Sequence, residues 1–300
     1  MQNQKINNFK SLSLCILLCW HTISANAIDD STRISTLKDA ALYLKSVSNL
    51  DSSILWPNVQ PRYFLENLNM YVQNPLYTFE SKNTNFCGYT ALSFVTLDKD
   101  PLGFVKMMVQ LYKQGKAQMG TAYLQPSASV RKMAGKLKYK GVLDINPATQ
   151  MWFLSLADHF KGYLNVFNKR YDEGDENTMW AATNFAKFNR MLRRLFDWKV
   201  KARGADLVRP PINDLFSYLV EKMKTSNTVF LYLNNRLLYK KKYVVTRIGV
   251  PTHYVVLLHI SKENDRINIA YMDGGRKTFQ QISPALLNTI VYGVTYCTNK

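Results

Sequence analysis

The chain predicts an α+β protein in which a helical lobe is followed by an antiparallel β-sheet lobe. Three observations carry that expectation. From Ile28 to about Lys224 apolar residues recur at helical spacing. From Thr225 to the C-terminus, runs rich in β-branched and aromatic residues alternate with polar ones. The hydrophobic fraction of 47%, with 13% aromatic, suits a packed core rather than a disordered chain. Helices first and strands last is the α+β pattern.

At the N-terminus, Lys5 and Lys10 precede an apolar run from Leu12 to Trp20, and Ser24-Ala25-Asn26-Ala27 offers the small residues a signal peptidase reads. Residues 1–27 are therefore expected to be a cleavable signal peptide and the mature chain secreted or periplasmic. The run is shorter than the roughly 20 residues of a membrane-spanning helix, and no later stretch qualifies, so no membrane span is expected. Cys15 and Cys19 each follow leucine, where a lipoprotein signal would place a small residue.

Residues 28–60 form an N-terminal helical segment, with helical spacing from Asp30 to Leu50 and a charged amphipathic character compatible with a pro-region. Residues 61–300 are read as one domain, a helical lobe over 61–224 and a β lobe over 225–300. Pro61 to Val72 is its first helix. Asp100-Pro101 and Asn146-Pro147 each open another, with a capping side chain followed by proline at the first helical position. A further helix is expected from about Asn177 to Trp198, where Ala181, Phe185, Phe188, Leu192 and Leu195 make one buried stripe and Arg190, Arg193 and Arg194 a solvated face. Tyr171 to Asn177 reads as an acidic loop, and Lys201 to Pro211 as a linker broken by glycine and two prolines. Ile212 to Met223 is helical. Strands follow at Thr228–Leu233, Tyr243–Ile248, His253–Ile260, Ile267–Met272 and Ile290–Cys297.

The net charge of +18, from 39 basic and 21 acidic residues, favours anionic partners. The basic residues are dispersed without a nucleic-acid motif, so no specific nucleic acid is expected; an anionic surface polymer remains open as a partner. No Cys/His cluster has metal-ligand spacing, so neither metal nor cofactor is called for.

Four cysteines occur, two of them in the leader. In an oxidising compartment Cys87 and Cys297 would ordinarily pair. The surroundings of Cys87 argue otherwise. Polar residues Asn83-Thr84-Asn85 lead to it, and Gly88, Ala91, Leu92 and Val95 let a helix start and pack closely. A thiol at a helix N-terminus meets the positive end of the dipole, and the unpaired amides there can hold an oxyanion. Asn85, or Asn83, is the side-chain amide that would complete such a hole. His253 opens an apolar strand. If Lys262 to Asp265 is a hairpin turn, paired residue numbers sum to roughly 527 and Asp273 falls beside His253. A carboxylate there orients the imidazole through its second nitrogen. His259 lies six residues on and His159 sits in a helical stretch; both read as structural.

Asn-Phe-Cys-Gly-Tyr-Thr-Ala-Leu, then Thr-His-Tyr-Val-Val-Leu and Tyr-Met-Asp-Gly-Gly, resembles the papain-like superfamily of cysteine peptidases, closest to the bacterial branch of double-glycine-leader peptidases and toxin-like effectors. The resemblance covers the Cys87 region and Thr228 onward. It implies a helical lobe opened by the nucleophile, a β lobe carrying histidine and then aspartate, and a triad of Cys87, His253 and Asp273. The family's glutamine, about six residues before the cysteine, is Ser81 here. The activity implied is cleavage of amide bonds in a peptide, protein or peptidoglycan peptide through an acyl-thioester. Two other readings stand beside it: an acyl-transferring or deamidating enzyme on the same scaffold, and a non-catalytic basic binding protein with a Cys87–Cys297 disulfide.

Overall fold

The computed structural model describes residues 33–77, 85–137, 145–161, 170–238, 251 and 253–300. The chain divides into Met1–Ser31 and Thr32–Lys300. The first unit, with the signal-peptide expectation, lies outside the described residues, as do Asn83 and the Tyr243–Ile248 strand.

In the second unit, Thr36 and Asp39 form a reciprocal capping box at the start of α1 (Leu37–Ser46). Proline opens α2 (Pro61–Gln73). Cys87 opens α3 (Cys87–Lys99), and Asp100 caps α4 (Pro101–Gln114) through its side chain onto the Gly103 amide. A short hairpin of β1 (Ala117–Met119) and β2 (Ala122–Leu124) leads to α5 (Ala128–Met133) and α6 (Pro147–His159). Then come α7 (Phe185–Leu195), β3 (Trp198–Gly204), α8 (Leu215–Thr225), β4 (Thr228–Leu233) and α9 (Asn235–Leu238). The chain closes with β5 (His253–Glu263), β6 (Arg266–Asp273), β7 (Arg276–Ile282), α10 (Pro284–Ile290) and β8 (Val291–Asn299).

The α+β architecture is as expected. An antiparallel six-stranded sheet, in the order β3-β8-β4-β5-β6-β7, carries the second half. One face, through Phe230, Tyr232, Tyr254, Val256 and Met272, joins the large core of the helices. The other, through Val229, Leu231, Val255 and Leu257, is covered by Leu215, Leu219 and Leu287 from α8 and α10. With both faces covered, every residue of β4 is buried and its sequence shows no alternation.

Several elements differ from expectation. Lys201 to Pro211 is not wholly a linker: Trp198–Gly204 is an edge strand on β8, so the region before residue 225 contributes to the sheet. Its alternation is plain, since Trp198, Val200 and Ala202 pack inward while Lys199, Lys201 and Arg203 face water, but glycine and the prolines beyond it dominate the local reading. The helix expected from Asn177 starts at Phe185 instead, because the Asn184 side chain caps it at the Lys187 amide (2.7 Å). β7 and α10 were not foreseen. Residues 33–60 are stitched into the helical layer: Trp56 and Val59 are buried, the Trp56 indole donates to Leu111 O (2.8 Å), and the Ile34 amide donates to Lys99 O (2.7 Å).

The β5–β6 hairpin matters most for the site. Its turn is Asn264-Asp265, both with positive φ (45° and 59°), the signature of a type I′ connection, and Glu263 faces Arg266. A bulge between Leu257 and His259 then shifts the register, so that Val256 faces Met272. The β5–β6 pairing ends at Val256–Met272, which leaves His253 and Asp273 just beyond it, at the shared mouth of the two strands. The register at that end is one residue away from the expected one.

Candidate active site

Cys87 is the first residue of α3, after Phe86, whose carbonyl accepts the Thr90 amide (2.9 Å). The amides of the first turn, next to the thiol in sequence, lie ahead of the intrahelical ladder. Phe86 anchors this end in the core against Tyr89 and Phe153 (ring centroids 5.6 and 5.2 Å). Beside it, His253 starts β5. An aromatic stack of Phe185, Tyr232, Tyr254 and Phe188 (5.9, 4.3 and 4.2 Å between successive rings) ties that strand end to α7.

The structure brings Cys87, His253 and Asp273 together. Nε2 of His253 hydrogen-bonds Oδ1 of Asp273, and the Cys87 side chain hydrogen-bonds the same ring, which leaves Nδ1 as the nitrogen facing sulfur. The His253 side chain is only 10% exposed and that of Asp273 17%. Burial opposes the imidazolium, but the bonds to Asp273 and Cys87 outweigh it and hold the His253 pKa well above its ordinary value.

Neither Cys87 nor Cys297 is in a disulfide, so the pairing named with the binding-protein reading is not formed. The reason is geometric. Cys297 faces Thr228 at one end of β4 while His253 faces Leu233 at the other, roughly 17 Å away by strand rise, beyond the reach of a disulfide. Cys297 is fully buried, and burial pushes its thiol pKa far up.

Of the two asparagines, Asn85 is half-buried beside Cys87, and its Nδ2 donates to Thr178 O (2.9 Å), leaving one amide hydrogen for another acceptor. That bond is the first of three onto a strap of backbone that the sequence did not reveal. Tyr89 Oη donates to Ala181 O (2.8 Å), and Lys187 Nζ donates to Ala182 O (3.1 Å) while lying 5.6 Å from the centre of the Tyr89 ring. Gly88 closes the contact: a Cβ there would stand 3.3 Å from Thr183 Cβ and Cγ2. Residues 178–183 are thus held against Asn85, Gly88 and Tyr89, on either side of Cys87. Lys187 is 2% exposed; burial, aided by Arg190, pushes its pKa down to about 7. Its only sequence signal was a lysine one position off the apolar stripe of α7.

His259 is exposed beyond the bulge, away from Cys87, and His159 ends α6. Among the described residues no helix is long and apolar enough to cross a membrane. Comparison with known proteins adds no family: no family model matches the chain, and no curated protein matches it.

Proposed function

We propose that this chain is a papain-like thiol hydrolase that cleaves amide bonds through an acyl-thioester on Cys87. The observation that supports the reading is the His253 ring held between the Cys87 side chain and Asp273 Oδ1. In this reading Nδ1 of His253 takes the thiol proton and the sulfur attacks the substrate carbonyl. The oxyanion is met by the first-turn amides of α3 and the remaining hydrogen of Asn85. The imidazolium then protonates the departing amine. Water, activated by the neutral ring, releases the acid. Asp273 keeps the ring oriented and favours the imidazolium that protonates the leaving group.

Iodoacetamide labelling of the folded protein near neutral pH tests the central claim. Cys87 should alkylate far faster than glutathione, His253→Ala should slow it at least about a hundredfold, and Cys297 should stay unlabelled. A Cys87 that reacts no faster than glutathione defeats the reading. Peptide-library profiling against Cys87→Ala then defines the substrate.

A further inference from the structure

Away from Cys87, a cavity of about 600 Å³ opens where the C-terminal ends of α6 and α7 meet; Asp158, His159, Phe160, Lys161, Arg190 and Arg194 line it. Its charge is unbalanced. Asp158 is already engaged: its Oδ2 accepts the Ser127 amide (2.7 Å), and its Oδ1, without a hydrogen bond, lies at ion-pair distance (3.0 Å) from Lys161 Nζ. Arg190 Nη2 reaches the Phe160 and Lys161 carbonyls (3.4 Å each) and Arg194 Nη2 donates to Thr121 O (2.8 Å). Those bonds account for one nitrogen of each guanidinium, and among the described residues neither arginine pairs with a carboxylate. Capping the carbonyls at the end of α6 needs one cation; here three converge on a concave site against a single carboxylate.

We propose that this cavity binds a soluble phosphate or phosphate monoester. Two surplus positive charges match a dianion, and two guanidinium forks with free N–H groups suit the tetrahedral array of phosphate oxygens. The volume exceeds that of a bare phosphate and leaves room for a small ester group beside the His159 and Phe160 rings, which lie edge to face at 4.6 Å. His159 sits in that field: partial burial and then the Arg194 guanidinium, with a further push from Arg190, hold its pKa below the ordinary value despite Asp158. A dianion between the arginines reverses that push. The site shares no residue with the Cys87 centre, so it stands or falls separately from the proposed hydrolase.

The experiment is an NMR pH titration of the His159 ring, assigned by its loss in His159→Gln, in the full mature chain. Inorganic phosphate and glycerol 2-phosphate are each compared with chloride and acetate at matched ionic strength. The expected result is a saturable rise of the His159 midpoint with both phosphates, little change with chloride or acetate, and binding at least about tenfold weaker in Arg190→Gln and in Arg194→Gln. Without phosphate, Arg194→Gln should itself raise the midpoint. No rise with phosphate, or an equal rise with chloride or acetate, overturns the proposal. So does a rise produced only by vesicles of phosphatidylcholine and phosphatidic acid in equal parts, which would make the cavity a lipid-surface contact instead.

Discussion

Asp273→Asn changes one carboxylate oxygen to an amide and isolates the charge on the His253 partner. Folding raises the His253 pKa, so the folded protein keeps that proton over a pH range where the unfolded chain has released it. Stability from the pair is therefore complete below about pH 6.5, the ordinary imidazole value, and is lost as pH rises through the elevated folded value. Both side chains are less than a fifth exposed, so solvent screening takes little from the interaction. A hydrogen bond to a charged group contributes about 1.5–3 kcal/mol and a neutral one about 0.5–1.5 kcal/mol, so the substitution should cost about 1–2 kcal/mol near pH 6. With a urea m-value of about 3 kcal/mol/M, that is a midpoint lower by about 0.3–0.7 M. At a pH above the folded His253 pKa the difference should shrink towards zero, because a neutral imidazole accepts an amide partner almost as well. Urea unfolding followed by tryptophan fluorescence, both proteins side by side across this range, reads the effect; other titrating groups are common to both and cancel. A stability difference that stays constant with pH would refute the ion-pair account of Asp273.

Further outcomes follow from the same contacts. If the proposed hydrolase reading holds, Asn85→Ala should lower kcat on a peptide substrate about tenfold or more with a smaller change in KM, since it removes the proposed oxyanion donor and one tie to the strap; steady-state kinetics separates the two constants. Lys187→Met should abolish a rise in stability with pH: the buried amine, near 7 against an ordinary 10.5, leaves the unfolded chain binding the extra proton in between, which amounts to as much as about 5 kcal/mol by linkage in urea titrations at successive pH values. Gly293→Ala should lower the melting temperature, because the new Cβ would meet the Phe185 ring at 2.4–2.8 Å; overpacking of this kind costs about 1–3 kcal/mol, measured by calorimetry.

Much of the site was legible because its parts are local. A cysteine before a run of small residues marks a helix start, and a histidine before Tyr254-Val255-Val256 marks a strand mouth. The pairing with Asp273 was reached through a register that was one residue out, because a bulge leaves no trace in composition; it is a choice the backbone makes to match neighbouring strands. Tyr89 was not legible as a site residue, since it donates to a carbonyl 92 positions away; Lys187 bonds a carbonyl only five positions back, and it is the Tyr89 ring beside it that folding alone delivers. Arg190 and Arg194 were read as a solvated face; they are exposed, yet the end of α6 turns their face into one wall of a cavity.

The sequence by itself determined the class of fold, the helix starts written in Asp100 and the opening prolines, and the three residue types of the proposed centre. Those features depend on neighbours a few positions apart, where spacing and capping chemistry act directly. Only the tertiary structure decided that Cys87 stays apart from Cys297, that His253 and Asp273 meet at a shared strand mouth, and that residues 178–183 lie against Asn85, Gly88 and Tyr89. Each of those is a meeting of distant segments, set by which apolar faces cover which, and no local pattern encodes it.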